Sequence, residues 1–294
     1  MTYAEFERLF PNNSTCLDYL RDRFYAPGTA CPKCGKQSKF HRIKGRSAYS
    51  CQYCRHQVYP TAGTIFHKST TSLHLWFYAI YLMSSTRCGI SAKQLEREIG
   101  VTYKTAHRMF KQIRTLLGEN DDDRFFGEVE IDETYVGGKR KQRGQVGRPG
   151  ADSGKAPVLG IVERGGRVRV VTVPDARKVT LMPHIQKRVL PGSMIFTDEW
   201  RSYDGLHERD YGHRRIKHRE NIYVMGDVYT NTIEGFFGLF KNGVRGAYKA
   251  ISTAYLQNYL DEYAFRYNHR HAINSRPMFW NFLDQVTKPG ASGA

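Results

Sequence analysis

The sequence predicts an α+β chain of several domains, and three observations carry that prediction. Two Cys-x-x-Cys pairs fall within residues 31–54, a helical period runs from Leu73 to Leu117, and beyond Glu128 the pattern changes to strands interspersed with helices. With 294 residues, 40% hydrophobic and 25% charged, the chain is long enough for about two compact cores and too apolar for global disorder.

Lys and Arg number 45 against 28 Asp and Glu, a net charge of +17, and both halves of the chain are net positive. That balance favours a long polyanion, nucleic acid above all, over a small acidic substrate. No run approaches the roughly 18–20 apolar residues of a membrane span. The longest, Leu73–Met83, contains His74, and the N-terminus has no apolar signal core. Membrane and secreted classes are therefore excluded.

Residues 1–30 read as two short helices broken at Pro11-Asn12-Asn13. Residues 31–60 read as a zinc ribbon. Cys31-Pro-Lys-Cys34 and Cys51-Gln-Tyr-Cys54 are separated by 16 residues, the spacing of a four-thiolate site, with a hairpin turning at Lys44-Gly45-Arg46. Gly35 permits the tight turn after the first pair. A closed four-Cys site leaves no open position, so this zinc is expected to be structural. Neighbours such as Lys33, Lys36, Arg42 and Arg55 could follow a phosphate backbone, although a merely solvated basic face would look the same. Cys16 and Cys88 are left over and expected to be buried small hydrophobes.

Residues 61–118 are read as a helix-turn-helix region. Ser91 caps a helix through Ile99, Gly100-Val101 turns, and Thr102 caps a second helix to about Leu117. Leu95, Ile99, Ala106, Phe110 and Ile113 supply the apolar set. Tyr103, Lys104, His107, Arg108, Lys111 and Arg114 are placed outward, facing a major groove and its phosphates. Residues 119–127, with Asp121-Asp122-Asp123, read as an acidic linker.

The segment 128–285 reads as strand Glu128–Val136, hairpin Val158–Arg164 and Val168–Val173, a helix near Val179–Val189, strand Met194–Thr197, and helices near Thr232–Asn242 and Thr253–His269. The tail 286–294 is expected to be disordered. Tyr255, Tyr259, Tyr263 and Tyr267 form a packing stripe, and Trp200 reads more readily as core than as a base-stacking residue. Three acids stand out. Asp132 lies on the first strand beside Glu130, Asp198 closes the strand Met194–Thr197, and Glu234 opens a helix; 65 and 35 residues separate them. Each alone has a bland reading as a turn or capping residue. Their joint order fits a ribonuclease-H-like mixed sheet in which such positions converge. Converging carboxylates need cations, so two Mg²⁺ or Mn²⁺ ions about 4 Å apart are expected for in-line phosphoryl displacement.

These phrases carry a resemblance. Ile131-Asp132-Glu133-Thr134-Tyr135-Val136-Gly137-Gly138-Lys139, Phe196-Thr197-Asp198-Glu199, Thr230-Asn231-Thr232-Ile233-Glu234-Gly235, the Cys ribbon and Lys241 seven positions after Glu234 are together similar to bacterial DDE insertion-sequence transposases with an N-terminal zinc ribbon, relatives of the Merlin superfamily. The resemblance covers about residues 15–285. It implies an enzyme that binds terminal inverted repeats, cuts DNA ends and joins them to a target through Asp132, Asp198 and Glu234. Some relatives carry Asn as the third ligand, so Asn231 is assigned a supporting catalytic contact, and Lys241 a contact near the cut phosphate. The loop residues Lys139, Arg140, Lys141 and Arg143 are expected on phosphate. His207, His213 and His218 are open candidates for proton transfer. A homodimer or larger synaptic complex on double-stranded DNA, in a bacterial cytoplasm at the nucleoid, is implied. Two alternatives remain: a zinc-ribbon and helix-turn-helix regulator with an inactive core, or an endonuclease without strand transfer.

Overall fold

In the computed structural model, residues 1–86, 88–118, 124–137, 155–216, 230–270 and 278–287 are described, and the statements below concern those. Contacts divide the chain into two units, Met1–Leu117 with Ile273–Ala294, and Gly118–Ala272.

In the first unit, α1 (Tyr3–Leu9) is opened by a reciprocal Thr2–Glu5 capping box and α2 (Asn13–Phe24) by Asn12, whose Oδ1 accepts from the N–H groups of Ser14 and Thr15. The ribbon follows. β1 (Thr29–Ala30) pairs with β2 (Gln37–Ser38), and β3 (Phe40–Arg42), β4 (Tyr49–Cys51) and β5 (Gln57–Val58) form an antiparallel sheet. Its small core of Leu17, Phe40, Tyr49 and Val58 seats the ribbon on α2, where the Tyr49 hydroxyl donates to Asp18. Helix α3 (Leu73–Ser85) buries Trp76, Phe77, Ala79, Ile80 and Met83. Helices α4 (Ala92–Ile99) and α5 (Tyr103–Thr115) are capped by Ser91 and Thr102 and joined through Gly100 at φ +67°. A left-handed residue there ends α4 without the Cβ clash that another residue would meet.

The second unit is a five-stranded mixed sheet between two helical layers. β6 (Glu128–Val136), β7 (Ala156–Glu163) and β8 (Val168–Thr172) run antiparallel; β9 (Met194–Thr197) lies parallel to β6, and β10 (Gly212–Arg215) parallel to β9, giving the order β10-β9-β6-β7-β8. Side chains alternate along β6 and β7. Val129, Ile131, Leu159 and Ile161 pack with α6 (Lys178–Arg188), while Val136, Val158 and Val162 pack with α7 (Asn231–Gly243) and α8 (Leu256–Asn268). Strands covered on both faces read as near-continuous apolar runs, which explains Pro157–Val162. Gly160 faces α7, and a Cβ there would come within 2.6 Å of both Ile233 and Phe237, so its missing side chain admits the helix onto the sheet.

Three features depart from the sequence reading. β10 was not expected, because Gly-His-Arg-Arg has no apolar alternation and sits at a sheet edge. Helix α9 (Met278–Val286) groups with the first unit, packing on α3 with Phe279 against Tyr81, so the reading of 128–285 as one segment does not hold for it. Cys88 is exposed, whereas Cys16 is fully buried as expected. The end of α9 also takes the 286–294 tail's first residue into a helix; residues 288–294 lie outside the described residues, as does most of the acidic linker. Among the described residues no helix is long and apolar enough to cross a membrane.

Candidate functional site

Two sites emerge, one of sulfur and one of carboxylate oxygen. The four ribbon thiols lie within 4.8 Å of one another. Cys31 Sγ is 3.7 Å from Cys54 Sγ, and Cys34 Sγ is 3.9 Å from Cys51 Sγ. Tetrahedral zinc with Zn–S near 2.3 Å requires sulfur atoms about 3.8 Å apart, so the four thiols fit zinc without rearrangement. The knuckles are equivalent turns. The N–H of Gly35 donates to the Cys31 carbonyl at 2.9 Å and that of Arg55 to the Cys51 carbonyl at 3.1 Å, with φ of +71° and +60°.

The carboxylates are brought together by the sheet rather than by local spacing. Asp132 sits mid-way along β6 on the face toward α7, opposite Gly160 of β7. Asp198 follows β9 and accepts from the Trp200 N–H at 2.9 Å, which fixes the turn. Glu234 occupies the first turn of α7 and accepts from the Thr230 hydroxyl at 2.8 Å. Burial chiefly, then the charges of Glu133, Asp198 and Glu234, push the Asp132 carboxyl up to about 8. The three acids therefore share one electrostatic neighbourhood. They are not closed as the thiols are: among the described residues only the four cysteines bring three or more such ligand atoms within 4.8 Å. The donor set, carboxylate oxygen alone, suits a hard cation such as Mg²⁺ or Mn²⁺.

Around these acids, Lys241 lies two helical turns beyond Glu234. Burial holds its ammonium below the ordinary value, and the charge of Asp132 acts against that shift. It also lines a cavity of about 330 Å³ with Tyr135, Lys155, Arg245 and Lys249, beside a π-helical turn at Val244–Tyr248. Asn231 is the first, exposed residue of α7, directly after Thr230 at the N-cap. His213 Nε2 lies 2.9 Å from the Thr197 hydroxyl, one residue before Asp198, whereas His207 is exposed and His218 lies outside the described residues. Trp200 is 50% exposed, not core, with its indole N–H on the Ala176 carbonyl.

On α5, Tyr103, Lys104, Arg108 and Lys111 are exposed and His107 is half-buried. Arg114 does not share that face. It is 3% exposed with its guanidinium over the Phe110 ring, because position 114 falls on the buried stripe of Phe110 and Ile113. Lys139, Arg140, Lys141 and Arg143 lie outside the described residues.

Sequence reasoning missed the residues that hold the acids. Glu130, fully buried, accepts from the backbone of α7, and Glu133, on the opposite face, accepts from the buried Tyr203 hydroxyl at 2.6 Å. An acid two residues from a candidate ligand was the available signal, but nothing in the sequence shows which donors reach it.

Comparison with known proteins agrees with this build. Residues 124–268 match the ISXO2-like transposase domain, and residues 11–57 the transposase zinc-ribbon domain. An uncharacterised protein in the transposable element ISH50 of Halobacterium salinarum is 30% identical over 268 residues, covering 85% of this chain and 90% of that protein. An uncharacterised transposase-like protein of Haemophilus influenzae is 32% identical over 102 residues, 35% of this chain and 81% of the relative. Among solved structures, the Mos1 strand transfer complex aligns over 74% of this chain and 78% of that one at 10% identity, with a TM-score of only 0.30. The class defined by ribbon, sheet and relatives is that of the transposases. Within it, the chain belongs to the ISXO2-like (IS1595) transposase family.

Proposed function

We propose that the chain is a DDE transposase that binds the inverted repeats of its element and carries out Mg²⁺- or Mn²⁺-dependent strand cleavage and strand transfer. The observation that carries this reading is that β6, the end of β9 and the first turn of α7 deliver three acids to one neighbourhood, where desolvation and then the charges of Glu133, Asp198 and Glu234 raise the half-buried Asp132 carboxyl. Gathering like charges in one place is unfavourable unless a cation joins them. Asp132, Asp198 and Glu234 would hold two divalent ions, which when bound activate a water or 3′-hydroxyl and stabilise the leaving oxygen.

The chain's own residues do the rest. Lys241, near Asp132 and with Lys155 and Arg245 around it, would seat the phosphate next to the cut. The sheet order, three antiparallel strands followed by two parallel ones, supports a ribonuclease-H-like catalytic domain. Helices α4 and α5 would form the helix-turn-helix, with Tyr103, Lys104, His107, Arg108 and Lys111 on the groove and Arg114 holding the helix down. The exposed ribbon cations Lys33, Lys36, Lys39 and Arg55 would track phosphate. Joining two element ends at a target calls for at least two copies, hence a dimer or larger synaptic complex, working in the cytoplasm where the DNA lies.

The test incubates purified protein, Mg²⁺, a labelled duplex of the element's end and a supercoiled plasmid, with Asp198→Ala run in parallel. Mg²⁺-dependent joining by wild type alone is the expected result. Cut but unjoined ends would leave an endonuclease, and shifted but uncut DNA in both lanes would favour a binding-only regulator.

A further inference from the structure

One buried ion pair touches all three elements that bear the acids. The Glu130 side chain is fully buried on β6, two residues before Asp132 and on the same face. Its Oε2 accepts from the N–H groups of Thr232 at 2.9 Å and Ile233 at 3.1 Å, and its Oε1 from the Thr232 hydroxyl and Arg164 Nε, both at 2.9 Å. Thr230, at the N-cap of α7, makes no side-chain capping bond, so a carboxylate from a distant strand does the work a local cap would do. Arg164, at the end of β7, places its guanidinium 3.8 Å above the centre of the Phe196 ring. Phe196 is the register partner of Glu130 across the parallel β6–β9 pair and stands two residues before Asp198.

We propose that the Glu130–Arg164 pair is the positioning device of the acid site. Glu130 docks the first turn of α7, and so Glu234, against the strand of Asp132; Arg164 locks that strand to the one ending at Asp198. Glu130 is not itself a cation ligand, because both its oxygens are occupied by protein donors. A buried ion pair is a poor source of net stability, and fixing the registry of neighbouring elements is its best-attested use. Two N–H donors at a helix start add the dipole to the attraction for a carboxylate. This inference rests on the acids being a cation site, and its test separates the two.

Mn²⁺ binding to the zinc-loaded, DNA-free full chain is measured from the loss of the free Mn²⁺ spin resonance signal, beside urea unfolding. Asp132→Ala is the control and abolishes tight binding. Glu130→Gln keeps the shape but turns an amide NH₂ toward donors, and weakens Mn²⁺ about tenfold, the usual scale for groups that orient ligands. Arg164 also pairs with Glu128 at 3.2 Å, so Glu130→Gln leaves it only its outer partner. The double variant Glu130→Gln/Arg164→Met removes that half-paired cation and restores the urea midpoint while Mn²⁺ stays weak, whereas a merely structural role predicts that both recover together. Should Glu130→Gln fail to fold, Thr232→Val deletes one bond and lowers Mn²⁺ affinity two- to threefold at an unchanged midpoint. Wild-type Mn²⁺ affinity in the Glu130 and Thr232 variants, with binding lost in Asp132→Ala, overturns the positioning role alone. Tight binding retained by Asp132→Ala overturns the acid site beneath it.

Discussion

The ribbon draws its four ligands from residues 31–54 and brings the sulfurs to tetrahedral spacing, whereas the acids come from residues 132, 198 and 234 and share a field without closing. The difference teaches where each site stores its geometry. In the ribbon, two tight turns and a hairpin place the ligands, so the metal and the local fold are one unit. In the sheet, the parallel pairing of β6 with β9 and the docking of α7 place them, so the site is as accurate as the packing of a whole domain. An open carboxylate set is also what chemistry requires, since a closed site has no position left for substrate.

The largest expected effects break the two sites independently. Asp132→Ala or Asp198→Ala should lower end cutting by about 10³-fold or more, the several kcal/mol that a carboxylate-held cation supplies. Zinc content, read by a colorimetric chelator, should remain at one ion per chain. Cys51→Ser should do the opposite: zinc is lost and the ribbon unfolds, because structural zinc contributes about 10 kcal/mol or more to such small folds. Mn²⁺ binding at the acids should survive. Loss of both metals in either variant would show that the two sites are not separate devices.

A middle-sized effect tests the packing on which the acids depend. Gly160→Ala places a methyl 2.6 Å from Ile233 and Phe237, in the layer between Asp132's strand and the helix of Glu234. Overpacking of this kind costs about 1–3 kcal/mol. Urea unfolding should show that loss, with a fall in cutting beyond what the remaining folded fraction explains. An unchanged midpoint would mean that the helix is free to retreat.

These cases also show what the sequence could reveal. The thiol spacing, the β6 and β9 strands, and the helix caps at Ser91 and Thr102 are local, and each was legible from a short pattern. What failed was non-local. Arg114 carries a charge that argues for exposure, yet its helical phase buries it. The strand Gly212–Arg215 is formed only because β9 offers it an edge. Glu130 looks like a fourth acid beside Asp132, and only the docked helix turns it from ligand to cap.

His213 gives a smaller, signed effect beside Asp198. The Thr197 hydroxyl donates to the Asp198 carbonyl at 2.8 Å, so it accepts from the His213 Nε2–H. Burial, then the charges of Arg215 and His207, push this imidazole down to about 4, against about 6.5 in the unfolded chain. Between those values the unfolded state binds more protons, so stability rises with pH. It is complete above pH 6.5 and is lost as pH falls toward 4. The ring is half-buried, and after solvent screening the loss is about 1 kcal/mol. His213→Gln keeps a donor for Thr197 and should flatten the urea midpoint between pH 4 and 6.5. An unaltered slope would assign the titration elsewhere.

The smallest effect lies within the ribbon and sharpens the comparison at its finest scale. Gly35 and Arg55 hold the same position in the two knuckles and the same left-handed backbone, but only glycine takes that conformation freely. Arg55 is exposed, so its removal forfeits no packing. Arg55→Gly relieves the backbone strain and gives back part of the gain through the looser unfolded chain, leaving about 0.5 kcal/mol of added stability. Zinc retention against a competing chelator should therefore improve about twofold. Under the reading in which the ribbon tracks phosphate, the same change should weaken binding of the element's end at low salt and leave it unaltered at high salt, where one cation counts for little. Tighter zinc with unchanged low-salt binding would mean that the arginine is kept at a strained turn for something other than DNA.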